Sequence, residues 1–339
     1  MVDKMNDLFK NKVIAVTGGL GSIGSKIIEK LLKYSPSEII LLDNRETGLF
    51  YASEYSHDKR IRAYYCDVRE KEQVKGMLKN TDIVFHAAAM KHVVVGEKNP
   101  FETVKTNVIG TQNLIESCME NQVDKMILIS TDKAVNPTNV MGATKLLAER
   151  LVSSMCNIRK ENDTKFGIVR FGNVLYSSGS VLEIWRKQLE EKKKITVTNP
   201  DMTRFFMAIE QSIKLIFNAS YYAKNGETFI LKMPSVKIGT LAEVFLEING
   251  YNKNYSTIIG IRPGEKLHEE LLLEDESESI LENDQFFLRM PLKIGCKDVS
   301  HYGKIGFKKS KSREFRSNNP EYLMDKESVR KVLENYRDI

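Results

Sequence analysis

The sequence predicts an α/β fold, a doubly wound parallel sheet followed by a smaller, mixed α/β C-terminal lobe. Short apolar, β-branched segments alternate with amphipathic helical patterns through the first half of the chain. The first of these segments ends at a glycine cluster that opens a helix. After about residue 175 the pattern becomes irregular. Alternation of this kind indicates parallel strands with helices packed on both faces of the sheet.

The individual strands follow from short apolar runs between polar or glycine-rich segments. The predicted strands cover residues 12–17, 38–43, 62–66, 82–86 and 125–130. A strand at 226–232 is expected to return to the same sheet. Helices are predicted in the second half at 180–191, 211–223 and 325–336. The two lobes are therefore expected to be interleaved in the chain.

Composition excludes several classes of protein. The chain has 339 residues, 42% hydrophobic and 28% charged, which is typical of a globular protein of about two domains. It has neither a run of the roughly 18–20 apolar residues that span a bilayer nor an apolar N-terminal signal. Its four cysteines form no CxxC pair, so we expect no disulfide framework, no metal site and a cytoplasmic location without membrane contact.

The charge pattern does not indicate a nucleic-acid-binding protein. The net charge is only +6, although basic residues concentrate in the stretch 293–316. That stretch lacks interleaved aromatic residues and any known reading motif, so we expect a solvated basic face.

Gly18, Gly21 and Gly24 form a GxxGxxG motif between the first strand and the first helix. One glycine permits the tight turn, one lets backbone N–H groups approach a pyrophosphate, and one lets the helix pack against the strand. Ser22 and Ile23 open the helix, whose N-terminus stabilises phosphate charge. The motif predicts a Rossmann dinucleotide site.

The second strand ends at Asp43, about 20 residues beyond Gly24, where a carboxylate binds the adenosine ribose hydroxyls. A carboxylate there repels a 2′-phosphate, so NAD is favoured, while nearby Arg45 keeps NADP possible. Small or acidic residues at the next strand ends are further candidates for cofactor contacts. These are Asp67, Val68, Ala87, Ala88 and Ala89. His86 is interpreted as a packed strand-end histidine.

Thr131, Asp132 and Lys133 follow the fifth strand, and ligands bind beyond the C-terminal ends of strands in such sheets. They are therefore expected to face the nicotinamide. Met141 and Lys145 have the i, i+4 spacing that places both on one helix face.

Several longer motifs carry a family resemblance: TGGLGSIG, HAAAMKHV, KTNVIGTQN, STDKAVNPTNVMGATK, VRFGNVLYSSGSV, DMTRFF and RPGEKLHEEL. Over essentially its whole length the chain resembles the extended short-chain dehydrogenase/reductases. Within them it is similar to the nucleotide-sugar 4,6-dehydratases of bacterial surface-polysaccharide synthesis, of the UDP-N-acetylglucosamine type. The DKAVNP segment joined to GATK is the specific part of the match.

The resemblance implies a reaction in three steps on a sugar diphosphonucleoside. Hydride leaves C4 of the hexose, water is eliminated across C5 and C6, and the hydride returns to C6. The cofactor, NAD or NADP, is tightly bound and regenerated each turnover. UDP- and GDP-N-acetylglucosamine both fit the sequence, as do retention and inversion at C5.

The resemblance also implies catalytic roles. Lys133 is assigned as the base at C5, Asp132 as the acid at the C6 hydroxyl, and Lys145 as a contact to the nicotinamide ribose. Met141 departs from the superfamily pattern, which has a tyrosine there. The proton acceptor for the 4-hydroxyl is therefore open among Thr131, Lys145, Asp132 and an ordered water.

Substrate contacts are expected from residues around the matching motifs. Arg204 and Arg262 are candidates for the pyrophosphate because guanidinium groups bind it in a bidentate manner. Helix-start amides at Gly179, Ser180 and Val181 offer a phosphate seat. The remaining candidates are Lys91 and Asn173 for sugar or phosphate, Glu265 for the nucleoside ribose, and Asn107 as a water bridge to the cofactor side of the catalytic segment.

The expected domains are 1–175 with about 205–233 for the dinucleotide, and 176–204 with 234–339 for the nucleotide sugar. Relatives form dimers or larger homo-oligomers, here expected through helices at 97–119 and 139–157. The alternatives are a nucleotide-sugar 4-epimerase, which needs no acid or base at C5 and C6, and a non-catalytic dinucleotide-binding protein, which Met141 favours.

Overall fold

The computed structural model describes residues 2–55, 58–158, 163–224, 226–291 and 300–335. The strands are β1 Val13–Thr17, β2 Glu38–Asp43, β3 Ile61–Tyr65, β4 Ile83–His86, β5 Lys125–Thr131, β6 Lys165–Phe171, β7 Asn173–Val174, β8 Ile195–Val197, β9 Thr203–Met207, β10 Glu227–Leu231, β11 Ser235–Lys237, β12 Ser256–Ile258, β13 Glu270–Leu272, β14 Ile280–Glu282, β15 Phe286–Arg289, β16 Lys308–Lys309 and β17 Phe315–Arg316. The helices are α1 Val2–Phe9, α2 Ser22–Leu31, α3 Glu46–Tyr55, α4 Lys71–Met77, α5 Val93–Lys98, α6 Pro100–Val104, α7 Gly110–Glu120, α8 Val140–Ser154, α9 Val181–Glu190, α10 Ile209–Tyr222, α11 Ile238–Ile248, α12 Ser300–Lys304 and α13 Lys326–Asn335.

The central sheet confirms the predicted fold class. Its parallel part runs in the order β3-β2-β1-β4-β5-β6-β10, and the described residues add β15, β14 and β16 in antiparallel pairing at one edge. The connections reverse direction between β1 and β4. In a doubly wound sheet this reversal opens a crevice beyond the C-terminal strand ends, which is where a ligand binds.

Both faces of the sheet are buried, which is why its strands are continuous apolar runs rather than alternating ones. One face packs on α1, α2 and α10, with Phe9, Phe85 and Phe217 at its centre. The other face packs on α4, α7 and α8. The crossover helices thus cover the sheet on both sides.

A separate apolar cluster forms the core of the C-terminal lobe. It is built around Trp185 of α9, which packs on Phe245 of α11, and it includes Val329 and Leu333 of α13. The division of the chain into two domains stays a prediction. The main sheet also takes in β14, β15 and β16, from the segment assigned to the sugar lobe.

The predicted strands and the three helices predicted in the second half agree with the structure to within one or two residues, whereas the helix expected at 97–119 is divided into several helical segments. The strand expected at 226–232 is β10, which pairs with β6 in the main sheet. The last helix begins after Asp325, whose carboxylate accepts the Ser328 N–H at 2.8 Å. Its predicted last residue, Tyr336, lies outside the described residues, as does part of the basic stretch 293–316. No described helix is long and apolar enough to cross a membrane.

Candidate active site

The glycine motif forms a tight turn between β1 and α2. Gly18 has a φ of +65°, and a Cβ there would lie 2.7 Å from the Ala88 nitrogen at the end of β4. A Cβ on Gly24 would overlap the carbonyl oxygen of Gly18. The Gly21 N–H donates to that same oxygen at 2.9 Å. The turn therefore excludes side chains, and it aims the N-terminus of α2, at Ser22 and Ile23, toward the crevice.

Alanine substitutions at Gly24 of α2 and Gly76 of α4 test whether close packing of the turn requires glycine. We expect Gly24→Ala to cost roughly 1–3 kcal/mol, because its methyl group must displace backbone. In contrast, Gly76→Ala on α4 meets open space and is expected to stabilise by about 0.5–1 kcal/mol. Urea unfolding of both variants checks this. Equal effects at the two positions would contradict the close packing of the turn.

Asp43 is buried at the end of β2 and is already engaged within the chain. Its carboxylate accepts the Leu20 N–H at 3.1 Å and a two-atom fork from Arg45 at 3.0 and 3.2 Å. The predicted ribose ligand thus also fixes the glycine loop. Asp67 at the end of β3 is paired with Arg69 in the same way, and Arg69 holds the pKa of Asp67 below its usual range.

The other predicted cofactor residues lie around the same crevice. Ala87 continues β4, where its N–H donates to the Thr17 carbonyl at 3.1 Å, and Ala88 and Ala89 follow it in partly exposed positions. Val68 is buried, and its carbonyl accepts the Asn113 amide at 2.9 Å. The structure therefore brings the ends of β1, β2, β3 and β4 together around the turn.

His86 is a structural residue. Thr111 donates its hydroxyl proton to the Asn107 carbonyl, so it accepts from His86 Nε2 at 3.1 Å. His86 Nδ1 then accepts the Thr17 hydroxyl at 2.8 Å. Burial, with a smaller contribution from Lys145, lowers the pKa of His86 to about 3. This neutral ring agrees with the interpretation of a packed strand-end histidine.

Asn107 lies on a π-helical turn, Lys105–Ile109, and its side chain makes direct contacts. Its amide oxygen accepts the Met90 N–H at 2.8 Å, and its amide nitrogen donates to the Met90 carbonyl and the Thr144 hydroxyl at 3.0 Å each. These contacts brace the loop after β4 against helix α8, and the water bridge to the catalytic segment stays a prediction. A role as a cofactor ligand stays a prediction.

The catalytic segment sits at the C-terminal end of β5. Asp132 is 0% exposed, and its Oδ1 accepts the Thr131 hydroxyl at 2.8 Å and Lys133 Nζ at 2.9 Å. Its Oδ2 has no hydrogen-bond partner among the described residues. Lys133 Nζ also approaches Asn173 Oδ1 at 3.5 Å. The two carboxylate oxygens of Asp132 therefore differ, because Oδ1 accepts two hydrogen bonds and Oδ2 accepts none from the described residues.

The sequence analysis missed one member of this cluster, Glu269. It is buried, and its Oε1 lies 3.7 Å from Lys133 Nζ. Burial alone lowers the pKa of Lys133, but the negative charges of Asp132 and Glu269 outweigh it and raise that pKa. Glu269 lies inside the RPGEKLHEEL motif, and the pair of adjacent acidic residues in that motif was the available signal.

Lys145 and Met141 lie on the buried face of α8, as their spacing predicts. Lys145 Nζ donates to the Ile129 carbonyl at 2.6 Å, and burial lowers its pKa to about 8. Met141 is buried at the start of the helix, which Asn139 caps by accepting the Gly142 N–H at 2.8 Å. Met141 contributes no group there that transfers a proton.

A cleft of about 200 Å³ opens beside Lys133 and Glu269. Predicted substrate residues lining it are Asn173, Gly179, Val181, Arg204, Arg262 and Glu265. Arg262 is exposed, and its guanidinium lies 3.8 Å from Glu265. The cleft is therefore lined by two groups of charged residues: Lys133 and Glu269 near the end of β5, and Arg262 with Glu265 in the turn that contains them.

The Arg204 side chain is largely engaged within the chain. Its guanidinium donates to the carbonyls of Thr203, Leu267 and Lys266 at 2.8, 3.2 and 2.9 Å. It thus ties β9 to the segment before β13. A direct contact with pyrophosphate stays a prediction, and Arg262 is the guanidinium with more exposed surface.

The phosphate seat at the start of α9 stays a prediction, and two of its amides have partners within the chain. The Gly179 N–H donates to the Glu183 carboxylate, and the Ser180 N–H donates to the Ser177 carbonyl at 2.9 Å. An anion would have to displace Glu183 from Gly179. Lys91 Nζ donates to the Ser178 carbonyl at 2.6 Å, and the Ser178 N–H donates to Ser22 Oγ at 2.9 Å, so this loop connects the cleft to the glycine turn.

Comparisons with known proteins agree with this arrangement. The sequence pattern of the polysaccharide biosynthesis protein family matches residues 14–291. An uncharacterized membrane protein of Methanocaldococcus jannaschii is 47% identical over 98% of both chains. A UDP-N-acetylglucosamine 4,6-dehydratase (inverting) of Campylobacter jejuni is 39% identical over 94% of this chain and 97% of its own.

Two further similarities bear on the reaction and the fold. A UDP-glucose 4-epimerase of Rickettsia typhi is 34% identical over 96% of each chain. The X-ray structure of Pen from Bacillus thuringiensis superimposes with a TM-score of 0.88 at 38% identity, covering 97% of this chain and 99% of that one.

Proposed function

Because this chain belongs to the polysaccharide biosynthesis protein family, we propose that it is an NAD-dependent nucleotide-sugar 4,6-dehydratase. Its substrate is UDP-N-acetylglucosamine or the GDP sugar, and its product is the 4-keto-6-deoxy sugar nucleotide. The observation that carries the proposal is the pairing of the buried Asp132 with Lys133, whose side chain lines the cleft. An acid and a base are what elimination of water across C5 and C6 requires.

The residues present fit a dinucleotide. The glycine turn leaves a cradle that a Cβ would fill, and the N-terminus of α2 faces it. When bound, NAD supplies a reversible hydride acceptor for C4. The Asp43 carboxylate favours NAD, while its partner Arg45 offers a cation at the same end of the crevice, which keeps NADP possible.

The resting Asp132–Lys133 pair explains how a protonated lysine can act as a base. Moving the ammonium proton along the 2.9 Å hydrogen bond leaves a neutral amine and a protonated carboxylic acid, with no change in net charge. The amine of Lys133 then takes the C5 proton while Asp132 delivers its proton to the departing C6 hydroxyl. The proton arrives on Oδ1 of Asp132, and Oδ1 is therefore the atom from which it would be given.

A 4-epimerase is the second candidate, favoured by the similarity to the rickettsial enzyme. Epimerisation also proceeds through the 4-ketone but leaves C5 and C6 unchanged. It would therefore not need Asp132 and Lys133 as an acid and a base. A non-catalytic dinucleotide-binding protein is the third, and it rests on Met141 alone.

Incubation in D2O with each sugar nucleotide distinguishes these functions. We expect one of UDP- or GDP-N-acetylglucosamine to lose the mass of one water, without added cofactor, and to gain deuterium at C5. A parallel reaction in H2O keeps the C5 proton, and its nuclear Overhauser contacts to the other ring protons then report retention or inversion. A C4 epimer of unchanged mass would replace dehydration by epimerisation, and an unchanged sugar with both substrates would favour the binding protein.

The helix face around α6 and α8 supports the predicted homo-oligomer. Phe101 is 81% exposed, and Leu147 and Val104 are exposed as well. Apolar side chains on adjacent helices are typical of an interface. We expect Phe101→Glu to lower the mass measured by light scattering to that of one chain, whereas a monomeric wild-type protein would refute the interface.

A further inference from the structure

Glu269 is a charged residue of the cleft whose environment is unusual. It is 2% exposed, and its Oε1 lies 3.7 Å from both Lys133 Nζ and Arg204 Nε. Its Oε2 is buried and has no hydrogen-bond partner in the described part of the chain. A buried carboxylate is costly unless nearby charges compensate it, so these two cations explain how it is tolerated.

The backbone around Glu269 is fixed. The Glu269 N–H donates to Ser317 Oγ at 2.8 Å, and the Ser317 N–H donates back to the Glu269 carbonyl at 2.9 Å. Ser317 Oγ is also 2.6 Å from Thr203 Oγ1. Glu269 therefore lies on a segment that hydrogen bonds hold in place between β9 and the residue after β17, and not on a free loop.

The charges near Lys133 come from two parts of the fold. Asp132 belongs to its own segment, while Glu269 and Arg204 come from the C-terminal lobe and are the groups that face it across the cleft. The other charged residues lining the cleft are Arg262, Glu265 and Lys266. Glu269 is thus the carboxylate outside the catalytic segment that contacts Lys133.

We propose that Glu269 is a positioning residue for the elimination step, holding Lys133 and Arg204 in one charged cluster at the point where the substrate meets the end of β5. This inference rests on the proposed dehydratase function. The carboxylate restrains the Lys133 ammonium from the side opposite its own segment. By its charge it also favours the protonated form of Lys133, which agrees with the raised pKa of that amine.

Glu269→Gln keeps the shape of the side chain and removes its charge. A carboxylate at this distance raises the pKa of a lysine by roughly one to three units, so its loss is expected to move the alkaline limb of the kcat/KM profile to lower pH by that amount. KM for the sugar nucleotide is expected to change less than kcat. Glu269→Asp retains the charge one methylene further back, and it should restore the profile at least in part.

Glu270→Gln is the matched control. Glu270 is the adjacent carboxylate, but it pairs with Lys266 at 3.6 Å and Arg316 at 3.3 Å. Its substitution is expected to leave the profile in place. An unshifted profile in Glu269→Gln, with wild-type turnover intact, would overturn the positioning role and leave only a structural one.

A second readout separates this inference from the proposed function. Dimethylation of lysines with 13C-formaldehyde allows the titration of Lys133 to be followed by NMR, with a Lys133→Arg protein to assign its signal. A titration midpoint lower in Glu269→Gln than in wild type supports the coupling even if no dehydrated product forms. Absence of product from the wild type contradicts the function, whereas an unchanged midpoint contradicts the inference.

Discussion

Lys133→Met is expected to abolish deuterium incorporation at C5 and to reduce formation of the dehydrated sugar by roughly 10²–10⁴-fold. The substitution keeps the length of the side chain and removes the amine that we propose takes the C5 proton, and positioned acid–base groups contribute rate factors of this size. The measurement is the C5 proton signal of the sugar nucleotide in D2O, followed by NMR against wild type.

Oxidation of the sugar at C4, the first half-reaction, serves as the control for this prediction. Oxidation at C4 does not use Lys133, so the variant should still develop the absorbance of reduced nicotinamide when substrate is added. Lys105→Met removes an exposed amine that forms an ion pair with Glu102 at 3.0 Å, and this variant should behave as wild type. Retained deuterium uptake in Lys133→Met would assign the base to another group.

Arg170→Met is expected to lower the free energy of unfolding by about 3–5 kcal/mol, the cost of leaving a buried charge without its partner. Arg170 on β6 is buried and donates to both carboxylate oxygens of Glu149 on α8, at 3.1 and 2.6 Å. It also contacts Glu276, which pairs with Arg289 of β15 at 2.9 Å. Although burial raises the pKa of Glu149, the two guanidinium groups keep it below its usual range.

Urea unfolding of three variants tests this interpretation. The double variant Arg170→Met/Glu149→Leu should recover much of the loss, because no carboxylate is then stranded and Arg289 keeps Glu276. Arg313→Met removes an ion pair with Glu274 whose arginine is 79% exposed, and should cost less than about 1 kcal/mol. A double variant as unstable as Arg170→Met would show that packing, and not charge, determines the loss.

This cluster also reaches the active site. Glu149 accepts the Ser130 hydroxyl at 2.6 Å, directly before Thr131. Arg170 donates to the Leu271 carbonyl at 2.9 Å, two residues beyond Glu269. The buried charges therefore link the strand that carries the acid and base to the segment that carries Glu269, so their loss is expected to affect both stability and turnover.

The parts of the fold that depend on local pattern could be predicted from the sequence. The β-branched runs, the glycine turn and the order of strands follow from periodicity and from the conformations that glycine permits. The placement of Thr131, Asp132 and Lys133 at a strand end also follows, because ligands bind beyond the carboxyl ends of parallel strands. These features need no knowledge of distant contacts.

The roles of Arg204, Asn107 and the Gly179 amide could not be predicted in this way. Each lies in a motif that indicates ligand binding, yet in the structure each forms hydrogen bonds with other residues of the chain. Which donors face a cleft and which satisfy buried carbonyls depends on residues far apart in sequence. A sequence motif identifies a residue type, but it does not show which hydrogen bonds that residue makes in the folded chain.

The sequence by itself determined the doubly wound sheet, the glycine turn and the position of Asp132 and Lys133 at a strand end, because each is encoded within a short segment. The tertiary structure alone decided the charge environment of Lys133. Glu269 lies more than a hundred residues away, and it meets Lys133 only because the C-terminal lobe folds back over the end of β5. Electrostatic coupling depends on distance in space, so only the folded chain reveals it.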